Sequence, residues 1–307
     1  MTLYAFTGAL EQGFAFGLMV VGVWLTFRVL DFPDLTVDGS LPLGAAVSAV
    51  AITSGVDPAL SVLLAGCAGF LAGMVTGILN TKLKILHLLA SILTMIALYS
   101  INLRIMGRPN LALLGEDSVV DRFQAATGLA MHVSTPLLFA VVSVIVVAGL
   151  AWFLRTELGM TLLATGDNPQ MITSQGVNTD RVVIFGVGLS NALVACSGAL
   201  VAQNQGAADV NMGVGTIVAG LASVIVGETL FGKRTVIQAL FAALLGSVVY
   251  RLAIALALSL DLGEFQVTPS DLKLVTAVLV VAALTAPRFK AGFKAGFKTR
   301  RQRKDAA

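Results

Sequence analysis

The sequence predicts an all-α protein that crosses a membrane about eight or nine times. Hydrophobic residues make up 57% of the 307-residue chain and charged residues only 12%, and the mean hydropathy is +0.90. One soluble core cannot bury that much apolar surface. Several apolar runs reach the roughly 20 residues that a membrane-spanning helix needs. They favour helices over the alternating strands of a β-barrel.

Apolar windows between polar breaks predict the individual helices. The second window is too short to cross a membrane alone, and it follows a polar stretch, DFPDLTVDGS (31–40), whose three aspartates cannot face lipid. We therefore expect a broken second element that is shielded inside the protein. The predicted windows are residues 12–30, 41–55, 58–80, 85–106, 133–154, 182–203, 212–231, 236–259 and 270–287.

Lysine and arginine are distributed unevenly between the two sets of loops. With alternate loops on the same side, fifteen of the twenty basic residues fall on one side, and eight of these follow residue 287. The positive-inside rule makes that side cytoplasmic. We expect one transmembrane domain (1–290) and a basic cytoplasmic tail (291–307) that contacts membrane lipid. The same parity places 107–132 and the N-terminus outside, although a re-entrant second element would unsettle the N-terminal side.

Two features of the predicted helices concern packing and retention in the membrane. Gly69, Gly73 and Gly77 recur every four residues on one face of the third window, which favours ordinary close helix packing over a moving gate helix. The first basic residue is Arg28, so the N-terminus lacks the positive region of a cleavable signal peptide. The first window is therefore expected to remain as a membrane helix.

A compact polar island, ATGDNPQMITSQGVNTD (164–180), interrupts the apolar second half. Asn168 followed by Pro169 is typical of a helix N-cap and first helical position, and Gly176 is typical of the residue just after a helix. The pattern predicts a two-turn helix on the cytoplasmic side, with Met171 and Ile172 as its adjacent apolar residues. The residues alone leave open whether it only joins two spans or docks another protein.

Two stretches carry a resemblance to a known family. The segment RTELGMTLLATGDNPQMITSQGVNTDRV (155–182) resembles the cytoplasmic coupling segment of permease subunits in ATP-binding-cassette importers of the branched-chain amino acid and ribose type. The segment FRVLDFPDLTVDGSLPLGAAV (27–47) is similar, more narrowly, to the tryptophan/tyrosine-type or uncharacterised branch of these importers. The similarity extends over nearly the whole chain.

The resemblance implies a bacterial inner-membrane permease that forms the path for a small solute such as an amino acid. It further implies a homodimer of permeases, a pair of separate ATPase subunits, and a periplasmic or lipoprotein solute-binding protein. The coupling segment, about 155–180, would be moved mechanically by the ATPases. Its matching and apolar positions are Glu157, Gly159, Thr165, Gly166, Asp167, Asn168, Pro169, Met171, Ile172 and Gly176.

The translocation path is expected to use the broken second element and neutral polar side chains of the central spans. Arg251, inside a predicted span, either meets an anionic group of a solute or pairs with a carboxylate such as Glu228 or Glu11, and we favour the pair. The expected path residues are Pro33, Asp38, Gly39, Pro42, Gly44, Asn102, Asn191, Gln203 and Asn204.

Other functions find little support in the residues. The stretch GETLFGKRT (227–235) has glycines and a lysine in the spacing of a phosphate-binding loop, but Arg234 stands where Ser or Thr must reach magnesium. We predict no catalytic residue, metal site, cofactor or nucleic-acid partner, and we expect ATP hydrolysis on another chain. An ion-coupled secondary transporter is the main alternative, and a nonconducting scaffold is a further one. The solute, and whether the dimer has two identical subunits, stay open.

Overall fold

The computed structural model describes residues 3–259 and residue 281, and these residues are predominantly helical. Seven of the described helices are long and apolar enough to cross a membrane, and an eighth apolar helix is shorter. The predicted fold class is confirmed. The tail predicted at 291–307 lies outside the described residues, as does all of the last window (270–287) except residue 281.

Apart from the start of the first helix, the bounds of the described spans follow the predicted windows to within a few residues. A π-helical turn at Leu25–Val29 extends the first helix, and a 3-10 turn at Val210–Gly213 precedes the tenth. The helices are α1 (Leu3–Trp24), α2 (Val37–Thr53), α3 (Pro58–Thr81), α4 (His87–Met106), α5 (Val119–Thr127), α6 (Met131–Phe153), α7 (Glu157–Asp167), α8 (Pro169–Ser174), α9 (Thr179–Gln205), α10 (Thr216–Phe231) and α11 (Val236–Ser259).

The first helix begins at Leu3 rather than at residue 12, so its predicted start was wrong. Glu11, the residue directly before the predicted start, is partly buried, and its carboxylate accepts a hydrogen bond from the amide of Asn204 on α9. A polar side chain with an internal partner does not have to end a membrane helix.

The second element is broken and shielded, as predicted. Residues 31–34 have no helical or strand structure, Asp31 adopts a positive φ of 50°, and α2 starts only at Val37. Most side chains of α2 are buried, and its backbone crosses α9 closely. A Cβ added to Gly44 would overlap the backbone of Ala195. The irregular segment is therefore enclosed by protein.

Charged side chains gather at the two ends of the bundle. We call the end that holds Arg28, Lys82, Lys84 and Arg181 the basic end. There Arg28 pairs with Glu228, and Lys82 and Lys84 lie 3.1 and 3.9 Å from Asp180. These residues come from loops that charge counting had placed on one side of the membrane.

The opposite end holds the long 107–132 segment. Two short strands, β1 (Asn110–Ala112) and β2 (Ala207–Asp209), pair antiparallel there. Arg122 on α5 pairs with Asp57, the N-cap residue of α3, and this guanidinium lowers the pKa of the Asp57 carboxyl. Three-residue strands carry too little pattern to be predicted, so sequence analysis missed this ribbon.

The glycine row on α3 lies against α9. A Cβ on Gly77 would come within 2.8 Å of the Ile184 Cα atom, and one on Gly69 or Gly73 would press on Asn191 or its immediate neighbours. Backbones in such close contact gain van der Waals contacts, which hold membrane helices together in the absence of a hydrophobic drive between them. This packed pair fixes the position of Asn191 beside the break.

Candidate translocation and coupling sites

The polar island folds into two consecutive helices, α7 and α8. Asn168 ends α7 and caps α8, because its side-chain oxygen accepts a hydrogen bond from the Met171 backbone N–H at 3.0 Å. Pro169 occupies the first helical position, where a missing N–H has no cost. Gly176 follows the end of α8 with a φ of +85°. The short helix predicted from this cap and glycine is therefore present, and it ends at Ser174, two residues before Gly176.

One face of α7 and α8 points into the protein and the other outward. Leu162 and Thr165 on α7 and Ile172 on α8 are at most 5% exposed, and Gly159 is buried. Leu158, Met160 and Met171 are 69%, 53% and 51% exposed. Glu157, Asp167, Asn168, Pro169 and Gly176 are also exposed.

The inward face forms a joint with the end of the first helix. Gly166 on α7 lies so close to the carbonyl group of Val29 that an added Cβ would overlap the oxygen. Leu162 and Leu30 both reach the space beside Gly186 on α9. Gly166 therefore lies at an internal contact rather than on the exposed face. The joint lies directly before the break at 31–36.

A buried polar network fills the break itself. The carboxylate of Asp34, which is completely buried, accepts hydrogen bonds from the Thr36 backbone N–H at 2.9 Å and from the Asn191 side-chain amide at 2.7 Å. Asn191 also donates to the Val187 carbonyl and accepts from the Ser40 hydroxyl at 2.7 Å. These bonds tie the start of α2 to α9. Asp34 was not singled out by sequence, because three aspartates share the DFPDLTVDGS stretch and nothing there distinguishes them.

Asp38 connects the first turn of α2 to the start of α10. Its carboxylate accepts hydrogen bonds from the backbone N–H groups of Gly215 and Ile217, at 3.0 and 2.8 Å, and from the Thr216 hydroxyl at 3.0 Å. Both helices begin within the bundle, since Gly39 packs against Met95 and Leu98 at the middle of α4. A carboxylate is favourable at a helix N-terminus, where unpaired N–H groups and the helix dipole are positive.

A cavity of about 340 Å³ opens beside this crossing, between α2, α4 and the turn before α10. Four of the predicted path residues line it, namely Asp38, Gly39, Pro42 and Asn102. Asn102 donates to the Gly39 carbonyl at 3.2 Å, and its side-chain oxygen has no hydrogen-bond partner among the described residues. Tyr99 and Ser100, which sequence analysis did not select, also line the cavity.

The other predicted path residues lie elsewhere. Gln203 is bonded near the opposite end to Ser48, Ser61 and the Pro58 carbonyl, at 3.0 to 3.2 Å. Asn204 bonds Glu11, Asn191 belongs to the network at the break, Pro33 is half-buried within the break, and Gly44 lies at the α2–α9 crossing. The structure therefore brings only part of the predicted set to one cavity.

The expected ion pair of Arg251 with Glu228 or Glu11 was wrong. Glu228 pairs with Arg28 and lies 4.0 Å from Lys233, while Glu11 binds Asn204. Among the described residues, the Arg251 guanidinium lies 3.9 Å from the Phe16 ring centroid and 3.4 Å from the Gln12 amide oxygen. An aromatic face and a neutral amide can hold a guanidinium without a carboxylate. Sequence analysis missed these two partners because they lie on α1, far from Arg251 along the chain.

Comparison with known proteins bears on what this arrangement does. Residues 5–284 match the model of a family described as branched-chain amino acid transport system, permease component. The chain belongs to this permease family. The match includes all of α2 to α11, and so contains the joint, the network and the cavity.

Curated relatives support the same assignment. The permease is 41% identical over 285 residues to a tyrosine transport system permease protein of Clostridioides difficile, covering 93% of this chain and 92% of the relative. It is 32% identical over 282 residues to an uncharacterized protein of Rickettsia prowazekii, covering 91% and 96%. An autoinducer 2 import system permease protein of Yersinia pestis is 28% identical over 203 residues, covering 64% and 54%. No solved structure matches the chain.

Proposed function

We propose that this permease is the membrane subunit of an ATP-driven bacterial importer, with α7 and α8 on the cytoplasmic side as its coupling segment. The observation that carries the proposal is the joint between Gly166 and Val29. One face of the segment packs directly before the broken element, and the other face exposes apolar side chains. Exposed apolar residues away from lipid mark a docking surface. Motion of a docked ATPase subunit would reach the break through one packed contact.

The solute we propose is an amino acid, most specifically an aromatic one. The extensive similarity to a permease named for tyrosine transport supports this choice, since the alignment covers over nine-tenths of both chains. A solute-binding protein would deliver the solute to the opposite end, which carries the ribbon and α5. Two copies of the permease would enclose the path. We place the second copy against α4, because the most apolar part of this helix is only 28% buried within the single chain, the lowest share among the described spans.

The residues around Glu228 lack the features of a phosphate-binding loop, which supports ATP hydrolysis on a separate chain. Gly227 packs tightly against Ala242, and Lys233 lies beyond the end of α10. A phosphate-binding loop needs a free glycine-rich backbone between a strand and a helix. The stretch instead closes a turn at the basic end, where Glu228 pairs with Arg28.

The test is tyrosine uptake into vesicles that contain the permease together with its ATPase and its solute-binding protein. Uptake should require ATP, should persist when an ionophore collapses ion gradients, and should stop when the ATPase carries an inactivating substitution in its own phosphate-binding loop. A permease variant, Arg104→Gln, serves as a control because Arg104 is exposed and lies outside the joint, the network and the cavity. Uptake that continued with the inactive ATPase would overturn the proposal.

An ion-coupled transporter is the second candidate, favoured by one observation. Asp34 is a fully buried carboxylate at a broken helix, the kind of group that carries ions in secondary transporters. In that case the ionophore alone would abolish uptake, and ATP would make no difference.

A further inference from the structure

The cavity beside Asp38 has chemistry that selects a class of solute. Its volume of about 340 Å³ lies at the lower end of the range for small-molecule sites, roughly 300–1,000 Å³. Apolar residues, among them Pro42, Met95 and Ile96, line it together with the polar residues Asp38, Ser100 and Asn102. A ligand that fits this mixed lining has an apolar body and a polar end.

The polar end must donate hydrogen bonds. Asn102 is 1% exposed, its amide nitrogen is committed to the Gly39 carbonyl, and its oxygen is left without a partner among the described residues. An unpaired buried acceptor has a cost of its own, so a donor that enters the cavity gains more than it would at a satisfied site. A ligand carboxylate, which only accepts, cannot satisfy this oxygen.

The charge of the cavity also favours a ligand that donates hydrogen bonds, and in particular one that is positively charged. Asp38 forms no ion pair among the described residues. It lies in the first turn of α2 and bonds the start of α10, and both of these helix N-termini oppose its charge. A cation next to Asp38 would add the ion pair that these contacts lack. An ammonium group supplies both the positive charge and three N–H donors.

We infer that this cavity is a binding site for the ammonium end and apolar body of the transported solute, held by the Asn102 oxygen and Asp38 within the permease itself. The inference rests on the proposed function, because it takes the cavity to lie on the solute's route. Tyr99 and Val214 are 52% and 60% exposed and line the cavity, which gives the solute an entrance from the surface of the single chain.

The experiment measures binding, without ATP, to the permease assembled with its ATPase in lipid nanodiscs. The probes are radiolabelled tyramine, which has an ammonium and no carboxylate, and 3-(4-hydroxyphenyl)propionate, which has the same ring and the opposite charge. Tyramine should bind at least about tenfold more tightly. Asn102→Leu should weaken tyramine binding about tenfold or more, because a hydrogen bond to a charged group is lost.

Three further variants keep the result interpretable. Ser91→Ala, on the same helix, removes a buried hydroxyl whose one partner among the described residues is the Leu88 carbonyl, and should leave binding unchanged. Asn102→Asp keeps an oxygen acceptor and should retain tyramine binding. Val214→Trp blocks the entrance without touching a buried bond, so it should weaken binding even if Asn102→Leu were to misfold.

Two results would overturn the inference: equal affinity for the two probes, or unchanged tyramine binding in both Asn102→Leu and Val214→Trp. Either result would leave ATP-driven uptake untouched, because the binding assay contains no ATP and no binding protein. Conversely, uptake with an inactive ATPase would overturn the proposed function whatever the probes show. The two failures are therefore distinguishable.

Discussion

At the scale of single residues, two buried asparagines serve different purposes. Asn191 has both polar atoms engaged, with bonds to Asp34, Val187 and Ser40. Asn102 lines the cavity and makes one bond, and its buried oxygen has no partner among the described residues. A satisfied amide stabilises a packed core, whereas an unsatisfied one is available to a ligand. Residue type alone cannot separate these cases.

This difference predicts unequal effects on stability. Asn191→Leu should lower the free energy of unfolding by about 1–3 kcal/mol, because it removes a donor from the buried Asp34 carboxylate and strands the Ser40 hydroxyl. Asn102→Leu should have a smaller effect, since only the 3.2 Å bond to Gly39 is lost. Denaturant titration of both purified variants, monitored by helical circular dichroism, measures the difference. Equal losses would contradict the assignment of separate roles.

At the scale of elements, helices and caps were more predictable than the contacts between them. Apolar windows located every described span because lipid demands length and hydropathy. Asn168, Pro169 and Gly176 located α8 because caps are local chemistry. The Gly166–Val29 contact, the β1–β2 ribbon and the partners of Arg251 join residues far apart in the chain. Periodicity carries no information about such pairs.

The joint between α7 and the end of the first helix leads to a prediction about a single methyl group. Gly166→Ala should reduce ATP-driven uptake about tenfold, since its Cβ overlaps the Val29 carbonyl and overpacking costs about 1–3 kcal/mol. Alanine is a better helix former than glycine by about 1 kcal/mol, so weakening of α7 itself is not the cause. Uptake per unit of inserted protein is the measurement.

A matched glycine isolates the effect of the contact. Gly149 on α6 is also helical, and a Cβ there would meet nothing within 4 Å. Gly149→Ala should therefore transport as the unchanged protein does. If Gly166→Ala also retained full uptake, the joint would not carry the motion.

At the scale of the whole molecule, two ends with different chemistry frame the central crossing. The basic end holds the Arg28–Glu228 pair, the cluster around Asp180, and α8. The opposite end holds the Arg122–Asp57 pair, the Gln203 bonds and the ribbon. Between them, Asp34 and Asp38 tie the broken α2 to α9 and α10. This crossing joins the helices that begin within the bundle, and so offers a packed route by which a displacement at one end can reach the other.

The assignment of sides gives a prediction for the intact protein. With Cys67 and Cys196 replaced by alanine, a cysteine at Leu114, which is 89% exposed at the opposite end, should react with a membrane-impermeant maleimide in right-side-out vesicles. A cysteine at Gln175, exposed beside α8 at the basic end, should react only after the vesicles are opened. The reason is the excess of basic residues in the loops of that end, which the membrane retains on the cytoplasmic side. Labelling of Gln175→Cys in sealed vesicles would place α8 outside, where no ATP-hydrolysing subunit could reach Met171, and the coupling role of the segment would be excluded.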